Sequence, residues 1–280
     1  MTDIGIDLHL MTRGSSRDYR FIGKGHVDRW WSEYEKWTRV EAPTIIVESH
    51  RFYLSGIIST VRRDRVGTPI RYSIAGDLRN TDGLIEPKAI RIVVNLLAKA
   101  AAELEEKKSF AGLAELFDKI DNKMIEKALE EDDEASANVI AEVEKQLQAL
   151  PDAAPCVHIT ERQWCSGLTQ DGLRALIATA ESVLKSRESN GLAAYLNLAD
   201  EMDAQLALSR GRFGGIVVKD GPRHPKALAR PLISPAVGLS VFLIAAGALA
   251  VWWFMASNSR GVSKTTNASS QVLLSQFRSS

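Results

Sequence analysis

Cysteine is almost absent: Cys156 and Cys165 are the only two in 280 residues. Two thiols cannot build the multi-bridge framework of a small secreted domain, and a chain of this length can bury a core without one. Phosphate-cradling glycine loops are missing as well. Neither G-x-G-x-x-G nor G-x-x-x-x-G-K-[ST] occurs, nor do G-x-S-x-G, H-E-x-x-H or a kinase signature. The common nucleotide-binding, hydrolase, protease and phosphotransferase chemistries are therefore without support. Charge of one sign is lacking too: Lys and Arg number 35 and so do Asp and Glu, which gives no whole-chain preference for nucleic acid. There is no internal repeat.

Long apolar runs are missing with one exception. Residues 232–256 read LISPAVGLSVFLIAAGALAVWWFMA and carry no charge. A bilayer core about 30 Å thick takes roughly 20 apolar residues in a helix, so this run predicts a single transmembrane span. Ser234 and Pro235 suit its start, and Trp252 and Trp253 its exit at the lipid boundary. Lys219, Arg223, Lys226 and Arg230 precede the run, against Arg260 and Lys264 after it. The positive-inside rule then places the N-terminal body in the cytoplasm and the tail on the opposite side. The start, MTDIGIDLHL, has acidic residues where a signal peptide is basic, so no export signal is expected ahead of the body.

The expected organisation is a cytosolic α+β domain over 1–219, with a possible subdivision near 151, then a basic linker over 220–231. The span at 232–256 and a short, disordered tail at 257–280 follow. Hydrophobic residues at 45% and charged residues at 25% match an ordinary globular body. Ile4, Ile6, Leu8 and Leu10 alternate as in a half-buried strand. Val27, Trp30, Trp31, Tyr34 and Trp37 fall at helical spacing. Residues 44–78 predict three strands, 44–48, 52–62 and 70–75, the last two a hairpin closed by DRVGTP.

Pro87 opens a long helix striped by Ile90, Val93, Val94, Leu97, Ala101 and Leu104. Helices over 111–130 and 135–150 flank the acidic run EEDDE at 130–134, read as a solvated arm because no EF-hand spacing accompanies it. Residues 156–160 suggest a short strand, and a helix capped by Thr169 follows. A further helix through Leu192, Tyr195, Leu196, Ala199, Met202 and Leu206 is expected, then a strand over 213–219. The fold class is thus an antiparallel, hairpin-containing sheet covered by several helices, followed by one C-terminal transmembrane helix.

Two groups of residues are candidates for chemistry. Arg62, Arg63, Arg65 and Arg71 gather at the hairpin tip and on its expected open face, where planar guanidinium forks can hold a phosphate or carboxylate. Cys156 with His158 could form a nucleophile and base, with His26 and His50 as other partners. Cys156, His158, Glu161 and Cys165 fit no common zinc spacing, so neither metal nor cofactor is expected.

The leading reading is a single-pass membrane protein whose cytosolic domain binds an anionic ligand or partner protein and signals or acts at the membrane. Partners would be membrane lipid and a protein, or a second copy through the small-residue face of Ala236, Ser240, Gly247 and Ala250. The alternatives are a membrane-tethered, hydrolase-like enzyme using Cys156 and His158, and a membrane scaffold. Protease added to intact cells is expected to remove at most the tail beyond residue 256. Digestion of the body under those conditions would overturn the topology.

Overall fold

The computed structural model describes residues 4–15, 18–23, 42–79, 84–154, 162–186, 191–196, 208 and 213–228. Their frame is a mixed sheet with helices, an α+β arrangement. The strands are β1 (Asp7–Thr12), β2 (Arg20–Ile22), β3 (Thr44–Glu48), β4 (Arg51–Arg63), β5 (Pro69–Asp77), β6 (Gln163–Gly167), β7 (Gly191–Tyr195), β8 (Phe213–Val218) and β9 (Lys226–Ala227). The helices are α1 (Pro87–Lys107), α2 (Ala114–Asp118), α3 (Asn122–Leu129), α4 (Asp133–Gln148) and α5 (Gln170–Lys185).

One nine-stranded sheet runs in the order β2-β1-β5-β4-β3-β7-β8-β6-β9. Its first part is antiparallel from β2 through β7, while β7, β8 and β6 lie parallel and β9 closes against β6 antiparallel. The expected subdivision near 151 therefore does not divide the sheet: Ile45 to Glu48 pair directly with Tyr195 to Leu192, joining strands from both halves of the chain.

The larger core lies between this sheet and the helices. Leu8, Leu10, Ile45, Val47, Phe52, Leu54, Tyr72, Ile74 and Trp164 supply its sheet side. Helix α1 contributes Ile90, Val93, Leu97 and Leu104, the stripe its sequence spacing predicts. Pro87 sits in its first turn, and Lys108 ends it in the left-handed conformation, its backbone N–H donating to the Leu104 carbonyl. Glu103 is buried near that end. Its carboxylate accepts from the Gly112 and Leu113 N–H groups at 2.8 and 3.0 Å, and Lys99 lies 3.3 Å from it. The opposite sheet face carries a smaller cluster of Ile46, Tyr53, Ala75, Cys165, Ala194 and Ile216.

Several sequence expectations need correction. The hairpin has no open face over most of its length, because Ser73 and Ala75 are as buried as Tyr72 and Ile74. The single helix expected over 111–130 is two, α2 and α3, separated where Asp121 caps α3 by accepting from the Lys123 N–H at 3.0 Å. Gly191 to Tyr195 form strand β7 rather than a helix. Their apolar run is short and buried throughout, and such runs cannot be told from helix by periodicity.

The segment expected as a linker is part of the fold as far as Leu228. Pro222 accepts from the Gly167 N–H at 2.6 Å, Arg223 accepts from the Thr169 hydroxyl at 2.8 Å, and β9 pairs with β6.

The aromatic helix at 26–40, the strand at 156–160, the span at 232–256 and the tail lie outside the described residues. Among the described residues no helix is long and apolar enough to cross a membrane. A chain ending at Leu228 is expected to melt cooperatively. One ending at Lys219, which loses β9 and the buried Leu228, should melt about 5–10 °C lower in a thermal scan.

Candidate functional site

Strands β4 and β5 run together beyond their neighbours. The last β3 partner of β4 is Ser55, opposite Thr44, and the last β1 partner recorded on β5 is Ser73, opposite Met11. The remaining residues, up to the turn at 64–68, form a projecting finger. Asp64 builds its tip: the carboxylate accepts from the Val66 and Thr68 N–H groups at 3.0 and 2.8 Å, and the backbone closes between Asp64 and Thr68 at 2.9 Å. Gly67 supplies the left-handed φ of 85° that this turn requires.

Two irregularities set which side chains face outward. At Gly56, with φ 78°, β4 takes one extra residue relative to β5. A Cβ there would meet the Ala42 backbone at 2.4 Å, so only glycine fits. Further on, β4 advances from Ile58 to Arg63 while β5 advances only from Arg71 to Pro69. Three surplus residues reverse the alternation of a strand, whose side chains change face at every step. Arg62 is thereby turned inward, 4% exposed, while Val61 is turned out at 63%.

This corrects the placing of Arg62 on an open face. Its guanidinium donates to the Thr12 hydroxyl at 3.0 Å and the Arg13 carbonyl at 2.9 Å, and lies 5.7 Å from the centre of the Tyr72 ring. The neighbouring Ser59 hydroxyl accepts from the Arg62 N–H at 2.7 Å and donates to Asp118 at 2.5 Å. The same carboxylate accepts from the Tyr72 hydroxyl at 2.9 Å and from both the N–H and hydroxyl of Thr60 at 2.8 Å. One aspartate at the end of α2 thus holds the surplus loop of β4. Burial pushes the Tyr72 phenol up to about 12, against the opposing pull of Arg62, so it remains a neutral donor.

The four expected arginines do not converge on one point. Arg62 is internal. Arg71 is half-buried beside β1, its N–H donating to the Tyr19 hydroxyl at 3.1 Å and its carbonyl accepting from Thr12 at 3.2 Å. Arg63 and Arg65 are exposed at the tip. Arg63 donates to the Gly67 carbonyl at 3.4 Å, and neither it nor Arg65 has an ion pair among the described residues.

Two arginines not singled out from the sequence stand near the root. Arg13 lies 3.6 Å from Asp64 and 5.7 Å from the Tyr19 ring centre, and Arg20 reaches the Leu129 carbonyl and Glu131. The signal that could have found Arg13 is its register: β1 continued one step past Thr12 sets it across from Arg71.

Beside the arginines, the finger exposes apolar surface. Among the described residues the exposed large hydrophobic side chains are Ile58, Val61, Val66 and Leu84, and three of the four belong to the finger. Val66 at the turn is 85% exposed.

A second polar cluster marks the other end of β4. His50 Nε2 lies 3.3 Å from Asp77, Arg51 Nε donates to the same carboxylate at 3.0 Å, and the Arg79 N–H donates to its other oxygen at 3.0 Å. Burial works to raise the Asp77 carboxyl, but the bonds from His50, Arg79 and Arg51 outweigh it and hold the group below its ordinary value.

Cys156, His158 and His26 lie outside the described residues. Cys165 is fully buried on β6. Among the described residues no three His, Cys, Asp or Glu side chains are placed to hold a metal ion. The chain matches no family model, and no curated protein or solved structure resembles it.

Two measurements follow from these placements. Replacing Arg62 with Gln leaves the Asp118 network without its cation and is expected to destabilise by about 2–4 kcal/mol, whereas Arg63→Gln and Arg65→Gln should fall within about 0.5 kcal/mol of the parent in denaturant titrations. The stability gap between the parent and Asp77→Asn should be constant above the ordinary aspartate range. It should close as pH falls through the lowered Asp77 value, because protonation then removes in the parent what the variant already lacks.

Proposed function

We propose that this chain is a membrane-anchored binding protein. Its N-terminal body, in the cytoplasm, engages an anionic partner through the β4–β5 finger, and residues 232–256 supply the anchor. The observation that carries the reading is the finger's tip, where Arg63 and Arg65 stand exposed beside Val61 and Val66. Guanidinium groups without counter-ions suit carboxylates or phosphates, and adjacent apolar side chains add area that water disfavours. The anion site is thus narrower than the sequence suggested. Arg63 and Arg65 make contact, Arg71 and Arg13 support the root, and Arg62 is structural.

The direction of the finger bears on the partner. Its tip lies at the Tyr195 and Gly167 ends of β7 and β6, whereas the chain runs through β9 towards the Gln163 end, where the Leu228 N–H donates to the Gln163 carbonyl at 3.0 Å. Leu228 thus lies at the end of the sheet opposite the tip.

A fluorescent poly-glutamate peptide serves as the probe. Micromolar binding is expected, falling at least about tenfold in the Arg63→Gln, Arg65→Gln double variant with no change in melting temperature. Equal binding by parent and variant would remove the finger from consideration.

A further inference from the structure

We propose that the finger's partner is a second copy of this chain, each finger seated on the acidic corner between α3 and α4 of the other; this rests on the anion-binding reading above and deepens it. Glu130, Glu131, Asp132, Asp133 and Glu134 form that corner, and all five are exposed. Asp132 caps α4 by accepting from the Ala135 N–H at 2.8 Å, and Glu131 pairs with Arg20. Asp133 and Glu134, in the first turn of α4, have no ion pair among the described residues and form an acidic surface, as Arg63 and Arg65 form a basic one.

The two surfaces lie at the same end of the molecule. Arg20 pairs with Thr12 in the β1–β2 register, and Thr12 bonds the Arg71 carbonyl at the finger's root. The corner therefore sits at the β2 margin, about 10 Å across the sheet from β5, at the level from which the finger departs. The tip extends roughly 15 Å beyond that level at the rise of an extended strand, which carries it past its own corner. A two-fold axis beside the finger brings each tip onto the other copy's corner, so both surfaces are used twice in a closed pair. Val61 and Val66 would leave water in the same step.

A charge-swap experiment on the full-length chain tests this. Copies carrying either of two tags are co-expressed, and capture of one by the other is measured at low salt and at about 0.5 M salt, where exposed charge pairs are screened. The parent should self-associate, more weakly at high salt. Arg63→Glu with Arg65→Glu should reduce self-capture at least about tenfold, as should Asp133→Lys with Glu134→Lys, with melting temperatures showing that both variants fold. Mixing the two variants should restore capture, because each reversed finger then meets a reversed corner while each native finger meets a native one.

Failure of the mixed pair to recover would overturn the proposal, as would parental self-capture by either variant or none by the parent. If the finger variant loses poly-glutamate binding yet keeps self-capture, this inference falls and the anion-binding reading stands. If it keeps both, both fall. Capture of the parent by phosphatidylserine vesicles without self-capture would assign the finger to a bilayer instead.

Discussion

The odd register shift between β4 and β5 is the constraint on which the candidate site depends. In a regular hairpin the residues after Ile58 would keep alternating, with Arg62 outward and Val61 inward. Three unpaired residues invert that pattern, and the inversion lasts because Asp118 accepts four bonds from Ser59, Thr60 and Tyr72. A buried guanidinium is tolerable where its donors meet acceptors, and Thr12 and the Arg13 carbonyl provide two. The same shift sends Val61 into solvent. The exposure of Val61 and the burial of Arg62 are two results of one irregularity.

That arrangement also explains why a tight polar cluster need not be a reactive one. Tyr72, Arg62, Asp118 and Ser59 would look like an acid–base site if found in a cleft. Here the Tyr72 phenol is held neutral by burial, and the Asp118 oxygens are already occupied by donors from the finger. The chemistry of the cluster is mechanical: it fixes the finger to α2 and determines the direction in which Arg63 and Arg65 project.

What could be read from the sequence was whatever is written in local pattern. Strand β3 appears with its expected bounds, β4 and β5 within two residues of theirs, and α1 and α5 with their proline and threonine starts. These elements have long periodic stretches or strong turn chemistry. Strand β6 was missed because QWCSG has neither clear alternation nor a β-branched run; in the fold it pairs with β8, and Trp164 fills the space over Gly215. Strand β7 was read as helix because Leu192, Tyr195 and Leu196 fall at helical spacing; Ala199, Met202 and Leu206, the rest of that expected helix, lie outside the described residues. Arg62 was misplaced because a strand's parity can be counted only when its bulges are known, and no residue type announces a three-residue surplus. The exposure of Val61 was invisible for the same reason.

The pairing of β3 with β7 has a consequence for the chain as it is being made. Ribosomes deliver β1 to β5 and the first four helices well before residues 191–195, and N-terminal segments tend to fold first. Until β7 emerges, the early half carries β3, with Thr44 to Val47 all buried in the finished fold, as a bare hydrogen-bonding margin rich in isoleucine and valine. Such margins join readily to foreign strands. The nascent protein therefore passes through an interval in which its unfinished sheet presents an unpaired margin open to mispairing.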